Sequence, residues 1–558
     1  MSYRIAFIFL CVLLFFNHSL LAQNNVAWIN HYGGQFADNA QHIVTDNNGN
    51  IFVCGQFTDS IMVYNNLYVS NGLFDGLLIK SDSTGISYWV KQFKGPKDDQ
   101  LMRMAWFSSS QLIIAGTFSD SLDLGDYKVY SHGFDDVFIV SINPATGNTN
   151  WIKTAGSQNG YEFVGGLSCN RREIFCAINY SGPCYIESDI YPCTGTYDFL
   201  VARMDSSGSV EHVTSYHGVG INLSSALAVD SSGRAFICGK FDSMLQADTT
   251  HVFSNGMFDI FYLSQRRDGA LDWIRTSGGA STEVANAINI GHDQDVYMGC
   301  WMQDTLTFQD TIMIPDPSGE IFVVKLDYEG NKQWLFRGFP DTGADQISDI
   351  SINCKGDILF TGLTTYFAGA TPELPQQQNI IHTERCAFGD TYVAKLNTQG
   401  ELVWLKNTLG TNSNLGTGVT ADKFGKVYVC GYFTDSLYAG IHRIRGKGGN
   451  DMMFFMLNDD EKCFTSPVGV EYISHLNTSM LYPNPSARDV MLFVSGDKET
   501  QIVITDMQGN ELTRFIARAD VRFVSLNSFL PISLSNGIYY VHLQDADGVC
   551  VLPWFFLY

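Results

Sequence analysis

The chain reads as a long series of short apolar segments, many with period-two alternation, separated by turns rich in Asp, Asn, Ser and Gly. Segments such as Ala40-Gln41-His42-Ile43-Val44 and Ala226-Leu227-Ala228-Val229 place every second side chain on one face, which predicts half-buried strands. Polar turns such as "DNNGN" and "DSSGR" follow, and then strands that end in Gly and an aromatic: "IFVCGQF", "LIIAGTF", "AFICGKF", "VYVCGYF". Helix-period stripes are scarce beyond the first 22 residues.

These signals repeat. A Trp followed by an apolar residue stands at Trp28, Trp89, Trp151, Trp273, Trp334 and Trp404, with His212 in the one vacant place, at steps of 61, 62, 61, 61, 61 and 70 residues. A glycine precedes each later mark by four residues, at Gly85, Gly147, Gly208, Gly269, Gly330 and Gly400. An acidic residue opens the last strand of each unit, at Asp75, Asp135, Asp198, Asp259, Glu320, Asp390 and Asp451. Each unit therefore supplies four short strands, enough for one antiparallel sheet. One such sheet cannot bury both faces, whereas radial stacking of several can, and it removes exposed edges. The expected fold class is all-β: a seven-bladed β-propeller followed by a small C-terminal β-sandwich.

The phase of the repeat carries a mechanical consequence. The array begins with a Trp strand and stops after an acidic-led strand, "NDMMFFMLN", with no further Trp strand. If each sheet begins after its Trp strand, the segment around Trp28 must complete the seventh sheet and clasp the array non-covalently.

The "YVCGYF" cadence, with its acidic-led last strand and later Gly and Trp, resembles the bacterial secreted β-propeller repeat family over Trp28 to Cys463. The Gly-to-Trp step is also similar to that of pyrroloquinoline-quinone propellers, whose repeated Trp residues dock neighbouring blades. The adjacent Cys pair typical of that group is missing.

The two ends carry different signals. Arg4, an apolar run from Ile5 to Phe16 and a polar stretch ending Leu20-Leu21-Ala22 follow the order of a secretory leader, with cleavage expected between Ala22 and Gln23. After Cys463 the period stops, and "LYPNP", "DVMLFVSG", "QIVITDMQGNEL" and "LSNGIYYVHLQDADG" follow. This order resembles the C-terminal sorting domain of the type IX secretion system. Pro483, Asn484 and Pro485 match its opening motif, and Gly537 with Ile538 and Tyr539 its late one. The resemblance implies handling by the type IX machinery, although the chain ends in the apolar "GVCVLPWFFLY" where such domains usually end in a Lys-bearing strand. The expected organisation is a signal peptide over 1–22, the propeller over 23–463, a linker over 464–479 and the sorting domain over 480–558.

Composition narrows the partners. The net charge is −23, one unit more negative once the leader with Arg4 is gone, which argues against nucleic acid as a partner. No segment after the leader is a candidate membrane span. Of 13 Cys, Cys54, Cys238 and Cys430 occupy one repeat position before a Gly and are expected to pack in separate units. Cys184 and Cys193 flank a short loop and form the candidate disulfide.

The chemistry-bearing motifs are few. One carboxylate per unit, spread around a wheel, cannot gather the six or more oxygens of a calcium site, so strand-end hydrogen bonding is the expected role. The turns lack the spacing of a hand-type calcium loop, and HExxH and GxSxG are absent. No catalytic, cofactor or metal residue is assigned. The leading expectation is a secreted or cell-surface binding or scaffold module for a glycan or protein, met at the rim by the sixth-unit insertion and the Cys184 to Cys193 loop. The alternative is a polysaccharide hydrolase or lyase with carboxylates converging at the channel.

Overall fold

In the computed structural model the described residues are 26–315, 318–338, 345–365 and 389–459, followed by the strands of the C-terminal region between 480 and 556. Among them every regular element is a strand, all the ladders are antiparallel, and no helix is long and apolar enough to cross a membrane. The chain divides into two compact bodies, Met1–Cys463 and Phe464–Tyr558.

In the first body each repeat unit gives one antiparallel sheet of the same make. In the first unit Asn39–Thr45, Ile51–Val63, Asn66–Ser81 and Ser87–Phe93 pair in sequence order. The fourth unit, with Asn222–Val229, Ala235–Phe241, Asp259–Gln265 and Leu271–Ser277, repeats that order. The opening part of the second strand is covered on both faces, and Ile51 to Phe57 and Ala235 to Cys238 are buried. The first and fourth strands are largely half-buried.

The N-terminal strand Val26–Tyr32 pairs with His442–Leu457 of the last sheet, Trp28 opposite Met456 and Tyr32 opposite Met452. This is the clasp that the phase of the repeat implied. It satisfies the outer edge of a strand that would otherwise present unpaired amides.

Apolar cores lie between successive sheets. Phe52 and Leu78 of the first pack with Leu101, Ile114 and Phe138 of the second. Ile43, Val53 and Ile79 of the first pack with Tyr428, Phe454 and Met456 of the last. Burying such side chains contributes about 1.5–3 kcal/mol each, so these interfaces, rather than any one sheet, hold the body together.

The repeat marks sit at these interfaces. The indole N–H groups of Trp151 and Trp273 donate to the carbonyls of Ser206 and Tyr328, each 55 residues on, in the turn of the next unit. Trp334 reaches Thr398 in the same way at 3.1 Å. The turn glycine lies under the ring: Gly208, Gly330 and Gly400 have positive φ, and a Cβ there would press on Trp151, Trp273 and Trp334. His212 takes the vacant place against Gly269.

The middle hairpin of a unit reaches back to the preceding sheet. Met244–Ala247 pairs with Val210–Val219, and Cys184–Ile186 pairs with Thr149–Gly156. The Cys184 to Cys193 loop is therefore a hairpin, Cys184–Ile186 with Asp189–Tyr191, that widens its neighbour's sheet. In the structure Cys184 and Cys193 are both free thiols, and the register sets Tyr191 opposite Cys184. Cys193 instead donates to the carbonyls of Tyr180 and Gly195.

In the second body, Met480–Tyr482, Met491–Phe493 and Phe523–Ser525 form one sheet, and Glu511–Ala517, Thr500–Thr505, Gly537–Asp545 and Gly548–Phe556 another. Gly537 opens its strand opposite Phe556. Pro483, Asn484 and Pro485, like Ala22 and Gln23, lie outside the described residues.

Candidate functional site

The first strand of every unit borders one cavity of about 260 Å³. These strands follow one another as neighbours from Asn39–Thr45 through Asp99–Ser108, Glu162–Cys169, Asn222–Val229, Glu283–Ile290, Gln346–Ile352 and Asn414–Ala421, and the last neighbours the first again. Small residues dominate where they crowd. Gly166, for instance, faces the Ala226 and Leu227 backbone so closely that a Cβ would clash with it.

Besides the Cys169 thiol, which burial keeps neutral, three ionisable side chains enter this lining: His42, Arg103 and Asp349. Asp349 Oδ2 accepts the N–H of Val419 and Oδ1 that of Ile350, both at 2.9 Å. Burial pushes its carboxyl up to about 6, against the pull of the Val419 amide and the Arg103 charge. Burial, helped by Arg103, holds the His42 imidazole down at about 3, so it is neutral, and its Nδ1 has no hydrogen-bond partner. Arg103 donates to the carbonyl of Met102 at 3.1 Å. Asn286 and Asn289 are tied to the carbonyls of Ile347 and Ile350, while Ser348 Oγ is buried without a partner. The cavity thus offers a cation, a titratable carboxyl, a neutral imidazole and a hydroxyl, groups able to hydrogen-bond a polar or hydroxylated ligand.

Paired carboxylates, the signature of glycoside hydrolysis, are not found there: Asp349 is the single carboxylate among the lining residues. Sequence reasoning missed this trio, because one residue from each of three distant units leaves no local motif. The sole usable signal was polarity at first-strand positions that line the cavity.

The acidic residue of the last strand behaves as expected, with one correction. Asp75, Asp136, Asp198, Asp259, Glu320, Asp390 and Asp451 are buried, and in the second unit the place belongs to Asp136 rather than Asp135. Asp136 pairs with Phe118 as Asp75 does with Phe57 and Asp259 with Phe241. Asp135 accepts the Ser119 hydroxyl instead. Each of four of these carboxylates accepts the N–H four residues back: Asn71 to Asp75, His132 to Asp136, Asn255 to Asp259, Lys447 to Asp451. In the polar turns Asp46 accepts the amides of Asn48 and Asn50, both at 2.8 Å, and Gly49 supplies positive φ.

Of the two candidate binding edges, the sixth-unit insertion lies within the stretch Thr364 to Asp390, of which residues 366–388 are outside the described residues. The other is the hairpin described above, whose Ile190 is exposed.

Comparison with known proteins adds one informative match. No curated protein matches the chain. Among solved structures it is similar to PorZ, an essential bacterial surface component of the type IX secretion system of Porphyromonas gingivalis, at 10% identity over 95% of this chain and 100% of that one, TM-score 0.17. It is similar to the quinohemoprotein alcohol dehydrogenase of Comamonas testosteroni at 10% identity over 82% and 81%, TM-score 0.31. Sqt1 of Chaetomium thermophilum matches at 10% identity over 84% and 96%, TM-score 0.33. Likenesses this distant say nothing of activity. Residues 480–551, however, match the secretion system C-terminal sorting domain. With that tail, the chain is an extracellular protein, secreted or held at the cell surface, and handled by the type IX secretion machinery.

Proposed function

We propose that the first body is a seven-bladed β-propeller serving as a non-catalytic binding or scaffold module, and that residues 464–479 link it to a C-terminal sorting β-sandwich. Its ligand is a glycan or protein whose polar end enters the axial cavity. The observation that supports this most is the cavity itself: the first strand of every unit borders it, and it carries Arg103, His42 and Asp349. Repeat arrays use such shared openings because each sheet contributes a side chain without disturbing its own core.

The test is a glycan array with a polysaccharide-turnover panel on the full mature chain, run on the wild type, Arg103→Met and Asp349→Asn. The expected result is binding without turnover, weakened about tenfold or more by either substitution. Undiminished binding in both variants would move the site away from the cavity. Turnover abolished by Asp349→Asn would replace the binding reading with a hydrolase or lyase.

A further inference from the structure

The turn that closes one sheet and leads to the next brings two buried acids together. Gly33 lies against the Asp451 carboxyl, where a Cβ would collide, and the next residue, Gly34, donates its N–H to Asp38 at 2.6 Å. Gly156 and Ser157 repeat this between Asp136 and Glu162, with Ser157 N–H to Glu162 at 2.9 Å. Gly278 and Gly279 do so between Asp259 and Glu283, also at 2.9 Å. At Gly95 a Cβ would meet the Asp99 carboxyl, on which the charge of Asp75 also acts. All eight carboxylates are buried.

Two junctions are built differently. Asn222 stands where the second acid would be and donates its amide to Asp198 at 3.1 Å, and Asn414 donates to Asp390 at 2.8 Å. These Asn residues follow their Asp by 24 positions, as Asp99 follows Asp75 and Glu283 follows Asp259. The amide is a permanent donor, and a carboxyl can replace it only while protonated.

We propose that, where two acids meet, one carboxyl keeps its proton at neutral pH and serves the junction as the Asn amide does elsewhere, so that cohesion between successive sheets weakens as pH rises. The buried oxygens support this. Asp99 has no hydrogen-bond partner on either oxygen and Glu283 none on Oε1, whereas Asp75 already accepts Asn71 N–H and Gln92 Nε2. A proton fits better than a cation, since among the described residues no three His, Cys, Asp or Glu are placed to hold a metal ion.

The electrostatics agree. Burial, reinforced by Asp75, Asp98 and Asp120, pushes Asp99 up to about 9, while the Lys94 charge favours the ionised form of Asp75. Burial, with Asp259 and Asp304 nearby, pushes Glu283 up to about 7. Asp38 and Glu162 are likewise raised to about 7, chiefly by burial, with Asp451 and Asp136 adding to it. Two such groups titrate as a pair. The sign follows from linkage. Above the ordinary carboxyl range the folded chain holds more protons than the unfolded one, so this stability is complete at acid pH and is lost as pH rises through about 7 to 9.

The test is thermal unfolding of the full mature chain from about pH 6 to about pH 9.5, with calcium or EDTA as separate arms, for wild type, Asp99→Asn, Glu283→Gln and Asn222→Asp. The expected wild-type midpoint falls by several degrees. Asp99→Asn and Glu283→Gln should each flatten the fall, Asn222→Asp should steepen it, and calcium and EDTA should change nothing. Should a variant not fold, the wild type can be read directly by the infrared carbonyl stretch of protonated carboxyl groups at neutral pH. Absence of that band, unchanged slopes in both amide variants, or a midpoint raised by calcium and lowered by EDTA would overturn the proposal.

Discussion

The indole N–H of Trp28 donates to the carbonyl of Ser83 at 3.1 Å, joining the strand that completes the last sheet to a turn of the first. Asn30 adds a second bond, from its side-chain amide to the Gly85 carbonyl at 2.6 Å. Trp89 stands in the same repeat position, yet its indole N–H has no partner, and Lys80 Nζ occupies the carbonyl of Pro144 at the matching offset. Trp28→Phe should therefore cost about 1 kcal/mol of stability, as for a single hydrogen bond, and Trp89→Phe less. Denaturant unfolding of the two variants side by side checks this.

Removal of residues 1–34 deletes the strand Val26–Tyr32 and leaves His442–Leu457 with an open edge. Half-buried Trp28 and Ile29 and buried Tyr32 go with it, each carrying up to about 1.5–3 kcal/mol of burial. The midpoint of thermal unfolding should drop sharply, and the exposed edge should promote self-association. Calorimetry and light scattering report the two effects, and an unaltered melting curve would refute the role of the clasp.

Asp349 ties together two first strands, since it accepts from Ile350 on its own strand and from Val419 on the next. Asp349→Ala should cost about 1–3 kcal/mol by leaving both amides without an acceptor. Asp349→Asn retains one acceptor and should cost less. Chemical denaturation separates them.

Cys184 is buried, and burial raises its thiol well above the ordinary range, so it is unreactive in the folded chain. An alkylating reagent should label it only after denaturation, and Cys193→Ser should leave mobility under non-reducing conditions unchanged. Peptide mass mapping reads both.

Much of the architecture was legible in the sequence because it is local and repeated. The Trp marks, the turn glycines and the strand alternation each act within one unit, and their phase alone implied that Trp28 completes the last sheet. The distinction between Asp135 and Asp136 was not legible, since both are acidic and only cross-strand register decides which faces inward. The pairing of the Cys184 hairpin with Thr149–Gly156 depends on a neighbouring sheet and has no local signal. The same holds for His42, Arg103 and Asp349, which meet only because their three strands border one opening.

The most direct test of the clasp is a cross-link across it. His31 lies opposite Met453, and cysteines at directly opposed positions of an antiparallel pair come within reach of a disulfide. Oxidation of the His31→Cys, Met453→Cys variant should yield an intramolecular bridge, seen as one linked peptide by mass spectrometry, and should raise the unfolding midpoint. Free thiols at both positions after oxidation, or a link solely between two chains, would contradict closure by the protein's own N-terminal strand.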